Sequence, residues 1–362
     1  IYMKKIKFFI IASIILISSQ ISGNELLYSF TDIHIENESN NSLEAKKIGI
    51  DNVINEKFRD LIFNITIDNS KYEYVISKTD SQDFLKNIVI NNEIVTNKKY
   101  IADLEIYFDK EKIIKFYKKN NILFSDTESP NFLILSSYNF GGTDILWEKN
   151  NWNNLWKNTT LKKNQLNISI PNEDNKNKIL ISSIDINKLN KLNIKKILNY
   201  YNIKNSVIIN ANNIYNPDDG KIYTNLLITH YKIQNDVLEN IYDKKILLDS
   251  NKDIENLIYL TDLSNDIMLN WWKGKTITHF DIVNNIECKL IVSDIFELNE
   301  VKNNLLSISQ VDDIYLKSIN SKDVTINIKF YGNIDDIKNI FNLSKLNINY
   351  DSNVCLLNYE PV

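Results

Sequence analysis

Residues 279–362 constrain the fold more than any other part of the chain, because strand-like and helix-like periods alternate there without a break. Ile286, Cys288, Leu290 and Val292 recur at every second position and mark one face of a strand. Leu298, Val301 and Leu305 recur at intervals of three and four, as on the buried stripe of a helix. Residues 311–319 and 324–331 read as two strands around the polar turn Ser321-Lys322-Asp323. Asn333 caps a helix that runs to Leu343, and residues 346–350 and 354–358 complete the run. The order β-α-β-β-α-β, with one extra final strand, predicts a ferredoxin-like module over 279–362. First and last main strands are neighbours in that topology, so Cys288 and Cys355 approach each other if Cys355 lies on or beside the last one. Two readings of the pair stand: small buried apolar side chains, placed first, or a disulfide permitted by an oxidising compartment.

The rest of the chain divides less sharply. Over residues 24–125 a first strand at 26–37 precedes a helix that begins at Asn41, with Glu44 as capping-box partner and Leu43, Ile50, Ile54, Phe58 and Leu61 at helical spacing. A second short helix is expected near 81–88. Strand 100–108 shows Tyr100, Ala102, Leu104, Ile106 and Phe108 on one face and Asp103 and Glu105 on the other. Asp109 then caps a third helix, so this unit reads as a β-α-α-β-α module. Over 126–278 a buried strand at 132–137 ends in a Gly141-Gly142 break, and 167–170 is another strand. A helix starting at Asp185 carries Ile186, Leu189, Leu192, Ile197 and Leu198. Strands 206–211 and 223–230 flank the turn Asn216-Pro217-Asp218-Asp219-Gly220. A long helix then places Ile254, Leu257, Ile258, Ile267, Met268, Trp271 and Trp272 on its apolar side. The fold class is therefore α+β to α/β in several modules.

At the other end, Lys4-Lys5, the apolar run 8–17 and the small, polar residues 18–23 have the three parts of a secretory signal peptide, with cleavage expected near Gly23/Asn24. The apolar run is shorter than the roughly 20 residues that span a bilayer. Ile1 and Tyr2 precede Met3 and are taken as an upstream translation artefact. No cysteine follows the signal, so no lipid anchor is expected and the mature chain is placed in the periplasm or outside the cell. Apolar residues make up 43% of the chain, enough for packed cores. Its 42 basic and 46 acidic residues are interspersed without a basic stripe, which argues against nucleic acid as a partner.

Side chains that announce a reaction are scarce. His34, His230 and His279 share no metal-ligand spacing, and no phosphate loop, Cys-x-x-Cys or nucleophile elbow is present. No cofactor, metal or catalytic residue is expected. The remaining acid–base option is a carboxylate pair, yet Asp218-Asp219 belongs to a turn, Asp103 and Glu105 to a polar strand face, and Asp335-Asp336 to a helix start. More distinctive is Leu146-Trp147-Glu148-Lys149-Asn150-Asn151-Trp152-Asn153-Asn154-Leu155-Trp156, three tryptophans in a polar segment between two strands. Trp147, Trp152 and Trp156 either clamp this loop onto the core, the reading placed first, or form a stacking surface for a sugar or peptide.

The run 100–117, the segment Pro130-Asn131-Phe132-Leu133-Ile134-Leu135, the tryptophan segment and the late Trp272-Lys273 together resemble an uncharacterised bacterial family, domain of unknown function 2066. The likeness covers roughly the first two thirds after the signal. It departs from the family where Asn-Pro-Trp becomes Asn151-Trp152, and where an Ala-rich helix retains only Ala45. The resemblance implies an exported protein with a C-terminal module of this kind, and no established activity. The function expected is that of a non-enzymatic envelope protein that binds another envelope protein or an assembly. A ligand- or glycan-binding protein using the tryptophan loop and a carboxylate-dependent hydrolase are the alternatives.

Overall fold

The computed structural model describes residues 27–139, 142–147, 150–159, 165–248, 252–320, 323–344, 346–351 and 354–359. The signal expected over 1–23 lies outside these residues, as do Gly141 of the expected glycine break and Ser321-Lys322 of the expected turn. Three separate sheets and ten helices organise the described residues, a mixed α/β architecture.

The first sheet has the antiparallel order β1-β3-β2. Its strands and helices run β1 (Ser29–Glu38), α1 (Ser42–Ile65), α2 (Asn69–Lys78), β2 (Leu85–Val95), β3 (Lys99–Phe108) and α3 (Lys110–Lys119). Strand β3 buries Tyr100, Ala102, Leu104, Ile106 and Phe108 and leaves Asp103 and Glu105 on the opposite, half-exposed face. Asn41 Oδ1 accepts from the Glu44 amide at 2.9 Å, while the Glu44 carboxylate takes Asn40 instead of closing the capping box. Two expectations are corrected here. Leu43 is exposed, because the helix turns its apolar stripe of Ile54, Phe58 and Leu61 toward the sheet and Leu43 lies off it. The helix expected near 81–88 is a single 3-10 turn (Ser81–Phe84) that runs into β2. The β-branched Ile88-Val89-Ile90 run favours a strand, and hairpin pairing with β3 holds it there.

The second sheet has helices on both faces. It is built from β4 (Phe132–Asn139), β5 (Asp144–Ile145), α4 (Asn151–Thr159), β6 (Ile168–Ser169), α5 (Asn175–Leu180), α6 (Ser183–Asn187), α7 (Lys191–Tyr201), β7 (Asn205–Asn216), β8 (Lys221–Lys232), β9 (Val237–Ile246) and α8 (Asp253–Lys275), in the order β5-β4-β7-β8-β9. Strand β4 runs parallel to β7 on one side and to the short β6 on the other. Even-numbered residues of β4 (Phe132, Ile134, Tyr138) pack with α4 and α8; odd ones (Leu133, Leu135) pack under α5–α7. The single helix expected from Asp185 is two, α6 and α7, broken at Leu189, whose φ is +49°. Leu192 then points to solvent, and Ile254 and Ile258 of α8 are exposed as well. Strand β9 extends the predicted β7–β8 hairpin.

The third sheet comes from β10 (Val283–Leu290), α9 (Ile295–Leu306), β11 (Val311–Ile319), β12 (Val324–Tyr331), α10 (Ile334–Leu343), β13 (Leu346–Asp351) and β14 (Val354–Tyr359). The element order matches the sequence reading, and Asp294 caps α9 by accepting from the amides of Phe296 and Glu297. The sheet order is β11-β12-β10-β14-β13. A ferredoxin-like sheet would set the strand after the second helix directly beside the first. Here that strand, β13, lies at the edge, and the extra strand β14 slots between it and β10, parallel to β10.

All three units meet along residues 122–129. Phe124 bridges Thr66 on one side and Thr278 on the other. Asp126, fully buried, accepts from Tyr28 Oη (2.9 Å) and Ser309 Oγ (2.6 Å), with Lys110 Nζ at 3.1 Å. Burial first, and then the Asp126 charge, push the Tyr28 phenol well above its ordinary value. Helix α1 has no basic residue in its last turn; Lys273 of α8 reaches its end and donates to the carbonyls of Phe63 and Thr66, both at 3.0 Å.

Candidate interaction surface

Helix α9 carries more apolar side chains than its sheet covers. Val301 and Leu305 are buried, but Ile295 and Phe296 are largely exposed, Phe296 at 80%. The facing strand β11 is an edge strand, and from Tyr315 onward it is exposed, with Leu316 at 54% and Ile319 at 60%. Between them lies a cleft of about 170 Å³ lined by Ile295, Leu298, Leu305, Ile314, Leu316 and Ile319, with Asn299 and Lys302 on its rim. Grouped apolar exposure rimmed by polar side chains is characteristic of an interaction site. Two register irregularities in β11 and the charge of Lys317 blunt the edge for pairing with another strand. What the cleft can accept is therefore apolar side chains, as an amphipathic helix offers them.

The tryptophan segment is placed differently from a stacking surface. Residues 151–159 are helix α4, not a loop; Trp152 and Trp156, four apart, share one face and are completely buried against α8 and β4. Trp152 Nε1 donates to Thr261 Oγ1 at 2.8 Å, and Trp147, 7% exposed, donates to the Ile181 carbonyl at 2.9 Å. The stacking-platform reading is corrected on this ground: no indole face is open to a ligand. The two cysteines are register partners on β10 and β14 and are joined as a disulfide, with Cα atoms 4.5 Å apart.

Hydrogen bonds from His34 and Asn92 hold Asp103 below its ordinary value, and the Tyr223 hydroxyl does the same for Asp219. A general acid needs the opposite shift. Among the described residues no three of His, Cys, Asp and Glu gather as a metal cluster. His230 is partly buried beside Phe132 and Trp271, and that burial lowers it to about 4. Sequence reasoning missed the cleft: the exposed Ile295 and Phe296 on an otherwise capped helix were its available signal.

No protein-family model, no curated protein and no solved structure matches the chain.

Proposed function

We propose that this chain is an exported, non-catalytic protein of a bacterial-type envelope, and that its C-terminal module docks a partner protein through the α9–β11 cleft. The observation that carries the reading is the aliphatic cleft itself, a concave site where exposed Ile295, Leu316 and Ile319 gather between one helix and one edge strand. Its volume suits one or two large aliphatic side chains, the anchors by which an amphipathic helix engages a groove. The Cys288–Cys355 disulfide supports an oxidising compartment. No helix of the described residues is long and apolar enough to cross a membrane. Kinship with the family named from the sequence belongs to the same proposal.

The test is in-cell cross-linking followed by capture of the tagged full chain from envelope extracts, with and without Leu316→Asp. We expect at least one envelope protein to cross-link and the variant to lose it while melting within a few degrees of the parent. Repeated recovery of no partner, or capture unaffected by Leu316→Asp, would sink the docking reading.

A further inference from the structure

The carboxyl ends of β4 and β7 form a second place built for a ligand, independent of the cleft. From β4 the chain winds to β6 on one side by way of α4, then returns across β4 to β7 on the other side by way of α5–α7. In open α/β sheets the carboxyl end of the strands at such a reversal is where ligands bind. The side chains there are of one kind. Ser137 is the register partner of Asn210, and Asn139 of Asn212, and all four stand on the sheet face covered by α6. Asp144 closes the rim: one carboxylate oxygen accepts from Asn139 Nδ2 and the other from Asn187 Nδ2, both at 2.7 Å. Asn210 Nδ2 points to the Ile186 carbonyl at 3.4 Å.

What remains is a set of acceptors without donors. Ser137 Oγ, Asn187 Oδ1, Asn210 Oδ1 and Asn212 Oδ1 are buried and have no hydrogen-bond partner, and Ser137 and Asn210 are 1% and 2% exposed. An orphaned buried polar atom costs about 1–3 kcal/mol, so four in one neighbourhood call for an occupant. Every one is an oxygen, and a carboxylate adjoins them. Nitrogen and sulfur donors that would select a softer metal are missing from the set.

We propose that this cluster binds a hard cation, calcium in preference to magnesium. Several neutral amide and hydroxyl oxygens in an irregular arrangement suit the six to eight flexible ligands of Ca²⁺ better than the strict octahedron of Mg²⁺. One carboxylate gives little charge, which sets the affinity in the weak range of extracellular sites, a Kd of about 10⁻⁴–10⁻³ M.

The experiment uses the full chain stripped with chelator and titrated with Tb³⁺, excited through its aromatic residues; Tyr138 and Trp147 lie beside the cluster in sequence. Sensitised emission should appear, and Ca²⁺ should displace it more effectively than Mg²⁺. Asp144→Asn should weaken binding at least tenfold, and Asn212→Asp, which adds a charge, should tighten it by a similar factor. Folding of each variant is checked by circular dichroism. Absence of emission with the parent would mean that water alone fills the cluster, and would overturn the proposal. So would affinity unchanged in both variants, which would place the ion elsewhere.

Discussion

Two apolar regions of this molecule differ in how far the fold covers them. The segment around Trp147–Trp156 is polar between its tryptophans and reads as a loop that either clamps onto the core or offers rings to a ligand; residues 151–159 form a helix, and all three rings are sealed inside. The α9–β11 region consists of ordinary aliphatic residues in regular elements, yet it stays open. The difference lies in what stands opposite. Helix α4 has the long helix α8 against it, with Thr261 placed to accept the Trp152 indole proton. Helix α9 lays Val301 and Leu305 on its own sheet, bonds Tyr359 of β14 through Asn304 and meets Lys110 of α3 at its carboxyl end, while Ile295 and Phe296 at its other end stay exposed. Large aromatic side chains in a sequence therefore say less about exposure than the presence of a neighbour does.

The largest effect that would test this contrast is Trp152→Ala. Deleting a fully buried ring should cost ~3–5 kcal/mol of unfolding free energy, read from urea midpoints. A loss below about 1 kcal/mol would return the tryptophans to the surface. Next comes the paired Cys288→Ala/Cys355→Ala variant. The disulfide closes a span of 67 residues, and removing it should destabilise the open module by ~2–4 kcal/mol without affecting the tryptophan core. Trp emission would then report a transition separate from that of the C-terminal module.

A smaller signal is expected from Lys273, which adjoins Trp272 on the covered side. Burial lowers its ammonium from the ordinary 10.5 to about 8. Between those values the unfolded chain keeps a proton that the folded chain has released. Stability should therefore rise as pH increases across that window, by at most about 1.4 kcal/mol per pH unit. Lys273→Met should flatten that part of the curve, and an unchanged slope would show the ammonium to be solvated. Least of all should Phe296→Ser matter to stability, within about 0.5 kcal/mol, since the ring is exposed. A larger loss would mean that the cleft is closed in solution.

What was legible in the sequence followed local period and capping. In the last module strands and helices fell where the Ile286/Cys288/Leu290 alternation, the Leu298/Val301/Leu305 spacing and the Asn333 start put them. Strands β2 and β9 were not legible. Residues such as Asn91, Glu93 and Lys244–Lys245 dilute their alternation, because each strand exposes much of its surface. The helical character of the tryptophan segment was present in the i, i+4 spacing of Trp152 and Trp156, masked by surrounding asparagines. The cleft depended on which strand ended at the sheet edge, and the Ser137/Asn210 cluster on β4 lying beside β7 across more than 60 residues of chain. Neither adjacency is a local property.

The insertion of β14 beside β10 has a mechanical consequence. The first and last strands of the module lie side by side, point the same way, and are bonded covalently at Cys288 and Cys355. Tension drawn between the body of the protein and its tail would pass through that single sulfur bridge. Helices α9 and α10, strands β11–β13 and the cleft sit within the loop that this bridge closes, so tension between body and tail would bypass them and leave the cleft's shape intact.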